Sequence, residues 1–281
     1  MKKLHYFLLT KSLGLYINFL SFFAPEKAKH LAYSIFSQPR KGKILQENIP
    51  KTLATAIQET LEYQHHKFQT YTWKGNDEVI LLVHGWESNA SRWKKTLPYL
   101  KKTGKTIIAI DAPAHGLSSG KEFNVPLYTE FLEIAIQKYK PHILIGHSIG
   151  GAACVYLQIK YPNTIIKKLI LLGAPSDLKN ILQNYIQMLS LNKKVKTLML
   201  NKFQDKFNIN VNDFSGEKFA QNLSLKTLVA HDINDKVVAF EEGKKFAKGF
   251  KNVTFIETSQ LGHSLHSDEL YTKIIAFLEE A

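Results

Sequence analysis

The sequence predicts an α/β protein, with a mostly parallel central sheet covered by helices on both faces. Short, nearly continuous apolar runs recur at 79–83, 106–110, 143–145, 169–172, 227–230 and 253–256, and stretches of helical character separate them. Strands this apolar are buried on both sides, as in parallel sheets wound with crossover helices. In such sheets ligands bind beyond the carboxyl ends of the strands. The polar residues with chemical potential stand just after these runs.

In chain order, the first 65 residues read as helical. Residues 26–37 place Ala28, Leu31, Ala32, Ile35 and Phe36 on one face, and residues 52–62 repeat the pattern with Leu53, Ala56, Ile57 and Leu61. Residues 39–43, Pro-Arg-Lys-Gly-Lys, read as the turn between them. Strands alternate with helices from Phe68 onward. The alternation breaks between Pro175 and Asn222, where Leu178, Ile181, Leu182, Tyr185, Ile186 and Leu189 fall at helical spacing and Phe203, Phe207, Phe214 and Phe219 add apolar bulk. A connection of that length is unusual and reads as an inserted helical cap. The expected organisation is a helical N-terminal extension over 1–65 and an α/β domain over 66–281, with the cap at about 175–222.

With 281 residues the chain is long enough for one large domain with a full core. A single cysteine, Cys154, excludes an internal disulfide framework and reads as a buried core residue. The net charge is +13, but only Arg40 and Arg92 are arginines, and the lysines are scattered in short pairs. Nucleic-acid sites lean on arginine forks and a concentrated stripe, so no nucleic-acid partner is expected. Residues 4–24 are apolar and aromatic behind Lys2 and Lys3, yet Lys11 interrupts the segment, His5 and Asn18 dilute it, and no small-x-small cleavage site follows. The expectation is a packed or membrane-peripheral helix on a cytoplasmic protein.

The most informative motif is Gly146-His147-Ser148-Ile149-Gly150, directly after the run ending at Ile145 and followed by Gly151-Ala152-Ala153. A strand feeding Gly-x-Ser-x-Gly into a helix is a nucleophile elbow, in which Gly146 and Gly150 leave room for a serine on a sharp turn. A serine needs a base, and a group to orient that base. Residues 260–264 supply His263 on a glycine-preceded loop after the last strand, and residues 231–238 supply Asp232 and Asp235 after the strand ending at Ala230. Acyl transfer also needs donors for a developing oxyanion. The backbone N–H of Ile149 is one, and the loop His84-Gly85-Trp86 points to the N–H of Trp86 as the other.

These motifs resemble the α/β-hydrolase superfamily, in its small esterase and lipase-like branch with a cap. The resemblance rests on His84-Gly85-Trp86, the Asp111–Ser118 loop, Gly146 to Gly151, Asp232 to Val238 and Gly262-His263, and spans Phe68 to Ala281. Its order of nucleophile, acid and base matches Ser148, Asp235 and His263. In this family the acid stands three residues before a valine, as Asp235 does before Val238. Asp177 occupies an alternative acid position, and Asp232 is a third candidate. The His-Gly-Trp loop with Trp93 is similar to that of pimeloyl-carrier-protein methyl ester esterases. The long N-terminal extension departs from the usual pattern, and Ser148 argues against haloalkane dehalogenases, which place an aspartate at the elbow. His84, His115 and His147 read as loop-shaping residues, with His266 as a decoy one turn after His263.

The resemblance implies a serine hydrolase acting on a small-molecule carboxylic ester or thioester with a hydrophobic group. No metal-ligand spacing and no dinucleotide fingerprint are present, so no cofactor is implied. The alternatives are a membrane-surface lysophospholipase or monoacylglycerol-type lipase, and a non-catalytic ligand-binding protein on the same fold.

Overall fold

The computed structural model describes residues 2–280; Met1 and Ala281, the outer limits of the two expected domains, lie outside the described residues, as do the side chains of Lys2, Lys3 and Leu4. Eight strands form one sheet: β1 (Ile57–Tyr63), β2 (His66–Trp73), β3 (Asn76–Val83), β4 (Lys105–Ile110), β5 (Ile143–His147), β6 (Lys168–Leu172), β7 (Lys226–Asp232) and β8 (Val253–Thr258). Their order across the sheet is β1-β2-β4-β3-β5-β6-β7-β8. The pairs β1–β2 and β2–β4 are antiparallel, and all the others are parallel. The six apolar runs are β3 to β8, the parallel part.

The helices are α1 (Lys2–Phe23), α2 (Pro25–Ser37), α3 (Lys51–Ala54), α4 (Leu97–Lys102), α5 (Val125–Tyr139) and α6 (Ile149–Lys160), then α7 (Leu178–Leu189), α8 (Lys193–Phe207), α9 (Gly216–Ala220), α10 (Phe240–Gly249) and α11 (Asp268–Glu279). Packing divides the chain into two units, one made of Met1–Gln38 with Asp177–Ser215 and the other of Pro39–Ser176 with Gly216–Ala281.

The second unit contains the sheet and a core on each face of it. Along β3, Leu81 and Val83 join Phe131 of α5, Leu157 of α6 and Phe246 of α10, whereas Ile80 and Leu82 join Leu100 of α4 and Phe277 of α11. The period of two sends successive residues to opposite faces, and both faces are covered, so every residue in the run is apolar. Burial of each such side chain contributes about 1.5–3 kcal/mol.

One expectation fails in this unit. Residues 52–62 are not a helix: helix ends at Ala54, and Ile57–Tyr63 is an edge strand paired with β2 through Gln64 and His65. The four-residue spacing of Ile57 and Leu61 fits a period of two as well as a helix. Leu61 is buried with Glu59 and Tyr63 half-buried beside it on one face, and Gln58, Thr60 and Glu62 on the other face are exposed, as on an edge strand with one wet face. Ile57, at the strand's start, stays exposed. The helical extension therefore does not run to residue 65, and residues 39–65 belong with the sheet.

The N-terminal helices form a unit with the insertion, which spans Asp177–Ser215 rather than 175–222 because α9 packs on α10 through the contact of Gly216 with Phe246. Its core joins Ile17 of α1, Ala28, Ala32 and Tyr33 of α2, Leu182, Tyr185 and Leu189 of α7, and Val195, Met199 and Phe203 of α8. Tyr185 donates to the carbonyl of Ala32 at 2.7 Å. Gly14 brings α1 against the Leu189 carbonyl so closely that a Cβ there would overlap it. Lys11 Nζ caps the end of α7, donating to Met188 O at 3.0 Å and Ser190 Oγ at 2.8 Å, where a cation complements the helix dipole.

Beyond β3 and β4 a buried polar scaffold shapes the loops. Asp111 accepts from Tyr71 Oη at 2.9 Å and from the N–H groups of Ala90 and Leu117 at 2.8 and 3.0 Å. His84 donates from Nδ1 to Gly85 O and accepts at Nε2 from Ala112 N–H, at 2.7 and 2.9 Å. His115 does the same between Pro113 O and Glu87 N–H, at 2.8 and 2.9 Å. Each ring must be neutral to accept at Nε2, so the 4.0 Å approach of His84 to Asp111 is not an ion pair. Burial lowers His84 to about 4 and His115 to about 3.

Two outcomes follow for stability. Gly14→Leu should lift α1 from α7 and make residues 1–37 accessible to limited proteolysis; unchanged protection would contradict the close approach described. Because both histidines have folded pKa values below the unfolded value of ~6.5, their neutral forms stabilise the fold above that pH. The contribution is lost as pH falls toward their folded pKa values. The unfolding free energy from urea titration should therefore be lower at about pH 5 than at about pH 7, by on the order of 1–2 kcal/mol for each ring. His115→Gln should reduce that slope.

Candidate active site

At the end of β5 the chain turns abruptly. Ser148 has φ 54° and ψ −133°, a region that non-glycine residues enter at a cost of about 1–3 kcal/mol. Its N–H donates to Leu172 O of β6 at 2.8 Å, which holds the turn, and α6 starts at the next residue. A Cβ on Gly146 would stand 2.5 Å from the Gly151 Cα, and one on Gly150 would overlap the carbonyls of Val83 and His84. These contacts let helix, turn and neighbouring strand approach more closely than side chains would allow.

The His84-Gly85-Trp86 loop lies against this turn. A Cβ on Gly85 would stand 2.7 Å from Ser148 Cβ and 3.3 Å from Ser148 Oγ. Ile149 is the first residue of α6, so its N–H has no acceptor within the helix. The Trp86 ring packs edge-on against Phe123 and His115, with centroids at 5.5 and 5.7 Å. The bond from Glu87 N–H to His115 fixes the backbone after Trp86, at a residue whose φ is 50°.

His263 sits on the short turn Gly262–Ser264 beyond β8. Its Nδ1 donates to Asp235 Oδ2 at 2.7 Å. Asp235 Oδ1 accepts from the N–H groups of Val237 and Val238 at 2.8 and 3.0 Å. Burial of Asp235 opposes ionisation, but bonds from His231, His263 and these two amides outweigh it and hold the carboxyl well below the usual carboxylate range. Asp235 therefore stays ionised at neutral pH and favours the Nδ1–H tautomer of His263, which leaves Nε2 to accept a proton.

Three further residues support this arrangement: His147, read from the sequence as loop-shaping, and His231 and Arg92, which carry no role there. His231 is fully buried, with Nε2 3.0 Å from Val238 O and 3.5 Å from Asp235 Oδ2. His147 Nε2 donates to His263 O at 2.8 Å, with ring centroids 4.8 Å apart, and ties the elbow to the histidine turn. Burial and the nearby charge of Arg92 push His147 well below its ordinary value. The Arg92 guanidinium donates to Ser264 O at 2.9 Å. The sequence hint was slight: Arg92 is one of two arginines in a lysine-rich chain.

The other candidates are occupied elsewhere. Asp232 accepts from Thr258 Oγ1 at 2.8 Å, Leu261 N at 2.9 Å and Asn234 N at 3.0 Å, joining the loops that carry Asp235 and His263. Asp177 stands at the start of α7, bridged to Ser215, in the helical unit. His266 pairs through Nδ1 with Tyr271 Oη at 2.6 Å. Cys154 is buried in α6, where burial pushes its thiol up. Among the described residues no group of three His, Cys, Asp or Glu is arranged to hold a metal ion.

The comparisons with known proteins bear on family and fold. A human serine hydrolase-like protein is 33% identical over 102 residues, covering 34% of this chain and 49% of its own length. Bovine protein ABHD8 is 28% identical over 120 residues, 40% of this chain and 28% of its own. The chain thus spans about a quarter to a half of these relatives. Among solved structures, a putative lipase from Acinetobacter baumannii matches with TM-score 0.63 and 17% identity, over 81% of this chain and 92% of its own. Mouse α/β hydrolase domain-containing protein 10 matches with TM-score 0.62 and 16% identity, over 80% and 97%. At such identities these likenesses establish the fold alone. The family model described as alpha/beta hydrolase fold matches residues 78–254, more than half of the chain, and this protein belongs to that family.

Proposed function

We propose that this chain is a serine hydrolase that cleaves a carboxylic ester, or a thioester, carrying a hydrophobic group. The observation that carries the reading is the 2.7 Å pairing of His263 Nδ1 with Asp235, on a turn bonded through His147 to the elbow of Ser148. Ser148 Oγ attacks the ester carbonyl as His263 Nε2 takes its proton, and a tetrahedral oxyanion forms. The backbone N–H groups of Ile149 and Trp86 donate to that oxyanion. His263 then protonates the leaving alcohol or thiol, the C–O or C–S bond breaks, and an acyl-serine remains. Water, deprotonated by His263, attacks this acyl group and releases the acid and free Ser148. Asp235 holds the imidazolium during both steps and is not itself protonated. Relatives named serine hydrolase-like protein and putative methylesterase support the assignment to ester chemistry.

A membrane-surface lipase is the second reading, favoured by the apolar outward residues of α1. It expects long-chain esters held in vesicles to be cleaved faster than dispersed short-chain ones.

Hydrolysis of p-nitrophenyl esters of increasing acyl length tests the main reading. Ser148→Ala should lower kcat by about 10⁴-fold or more while the melting temperature holds. Asp235→Asn should lower it by about 10³–10⁴-fold, whereas Asp177→Asn should stay within about threefold of the parent. Turnover that survives Ser148→Ala, or a crippling Asp177→Asn with a mild Asp235→Asn, would overturn the assignment. No turnover with any ester would favour a binding protein.

A further inference from the structure

Helix α1 is built inside out. Its buried line is Thr10, Gly14, Ile17 and Ser21, mostly small or polar. Toward solvent it presents Leu8, Leu9, Leu15, Tyr16, Phe19, Phe22 and Phe23, each more than half exposed. Among the described residues, exposed large apolar side chains are otherwise few: beyond α1 they are Met188, beside Tyr6, and Leu45, Ile57, Ile233 and Val237. Two of the polar residues that interrupt the apolar segment in sequence, Lys11 and Asn18, are turned toward α7, while His5 stays exposed. Lys11 is spent on the end of α7, and Asn18 donates to Ser190 O at 2.9 Å and accepts from Asn192 N–H at 2.8 Å. Residues His5–Phe23 are long and apolar enough to cross a membrane by length and composition, yet the seam with α7 occupies one side of the helix. Only the outward side is free for hydrocarbon.

The charge of the unit that carries this helix is predominantly positive. The helical unit carries eleven lysines and no arginine, against Glu26, Asp177, Asp205 and Asp213. Lys193, Lys194 and Lys196 at the start of α8 are exposed, and Lys194 Nζ lies 5.3 Å from the Phe22 ring. An aromatic and leucine face bordered by lysine ammonium groups matches an anionic lipid interface: rings at the acyl boundary, cations at the phosphates. A second copy of the chain would bring the same lysines together and repel.

We infer that α1 lies in the surface of an anionic phospholipid bilayer through its outward face, a monotopic contact held to the fold by Lys11, Gly14 and Asn18. This inference does not depend on the catalytic reading. The test is flotation of the full chain with vesicles of equimolar phosphatidylglycerol and phosphatidylcholine, and with phosphatidylcholine alone. The chain should float with the anionic vesicles and much less with the neutral ones, and binding should weaken as salt rises. The double variant Phe19→Asp, Phe22→Asp, altered only at exposed positions, should keep its circular dichroism and lose binding at least about tenfold. In Phe19→Trp the indole emission should shift to the blue on adding anionic vesicles. Absence of binding to either vesicle would overturn the inference, as would equal, salt-independent binding to both. So would a dimer in vesicle-free solution that Phe19→Asp converts to monomer, since a second copy would then cover the face.

Discussion

The candidate site in the sheet-bearing unit is arranged around the strained turn at Ser148. A serine at positive φ between a parallel strand and a helix is unfavourable by itself, and it persists because its surroundings leave the backbone no alternative. The Leu172 carbonyl holds its N–H, the glycines at 146 and 150 admit neighbouring backbone, and the sheet beneath is buried on both faces. The strain costs a few kcal/mol at most, against a core in which single side chains contribute comparable amounts. The sheet wins, and the hydroxyl stands at the carboxyl end of β5.

The polar loops extend that logic. Neutral His84 and His115 act as fixed donor and acceptor pairs for backbone groups, which a charged ring could not do. Asp111 and Asp232 each gather bonds from separated segments, so their carboxylates organise loops rather than react. Asp235 differs in giving one oxygen to backbone amides and the other to His263. Asp235 thus differs from the other two aspartates through its hydrogen-bond partners, and in all three these lie in sequence-distant or turn positions.

That distribution explains what the sequence revealed. The runs of β3 to β8 were legible because burial on both faces demands uninterrupted apolar residues. Ser148, Asp235 and His263 were legible because each follows such a run, and the hydrogen bond between the last two agrees with the expected pairing. The β1–β2 hairpin was not legible: Ile57 and Leu61 satisfy helix and strand periods alike, and an edge strand needs little apolar content. The association of residues 1–38 with 177–215 was also hidden, since no local pattern records a partner more than a hundred residues away. For α1, sequence composition and structure part company. Lys11 and Asn18 dilute the apolar segment when read in one dimension, yet in three they face α7 and leave the outward side apolar.

The central claim is that Ser148 is the activated nucleophile of this fold. Reaction of the intact protein with a fluorophosphonate, followed by peptide mass spectrometry, tests it directly. One adduct is expected, on the peptide containing Ser148, formed rapidly in the parent and slowly in His263→Ala. Labelling of another serine, or equal labelling without His263, would contradict it.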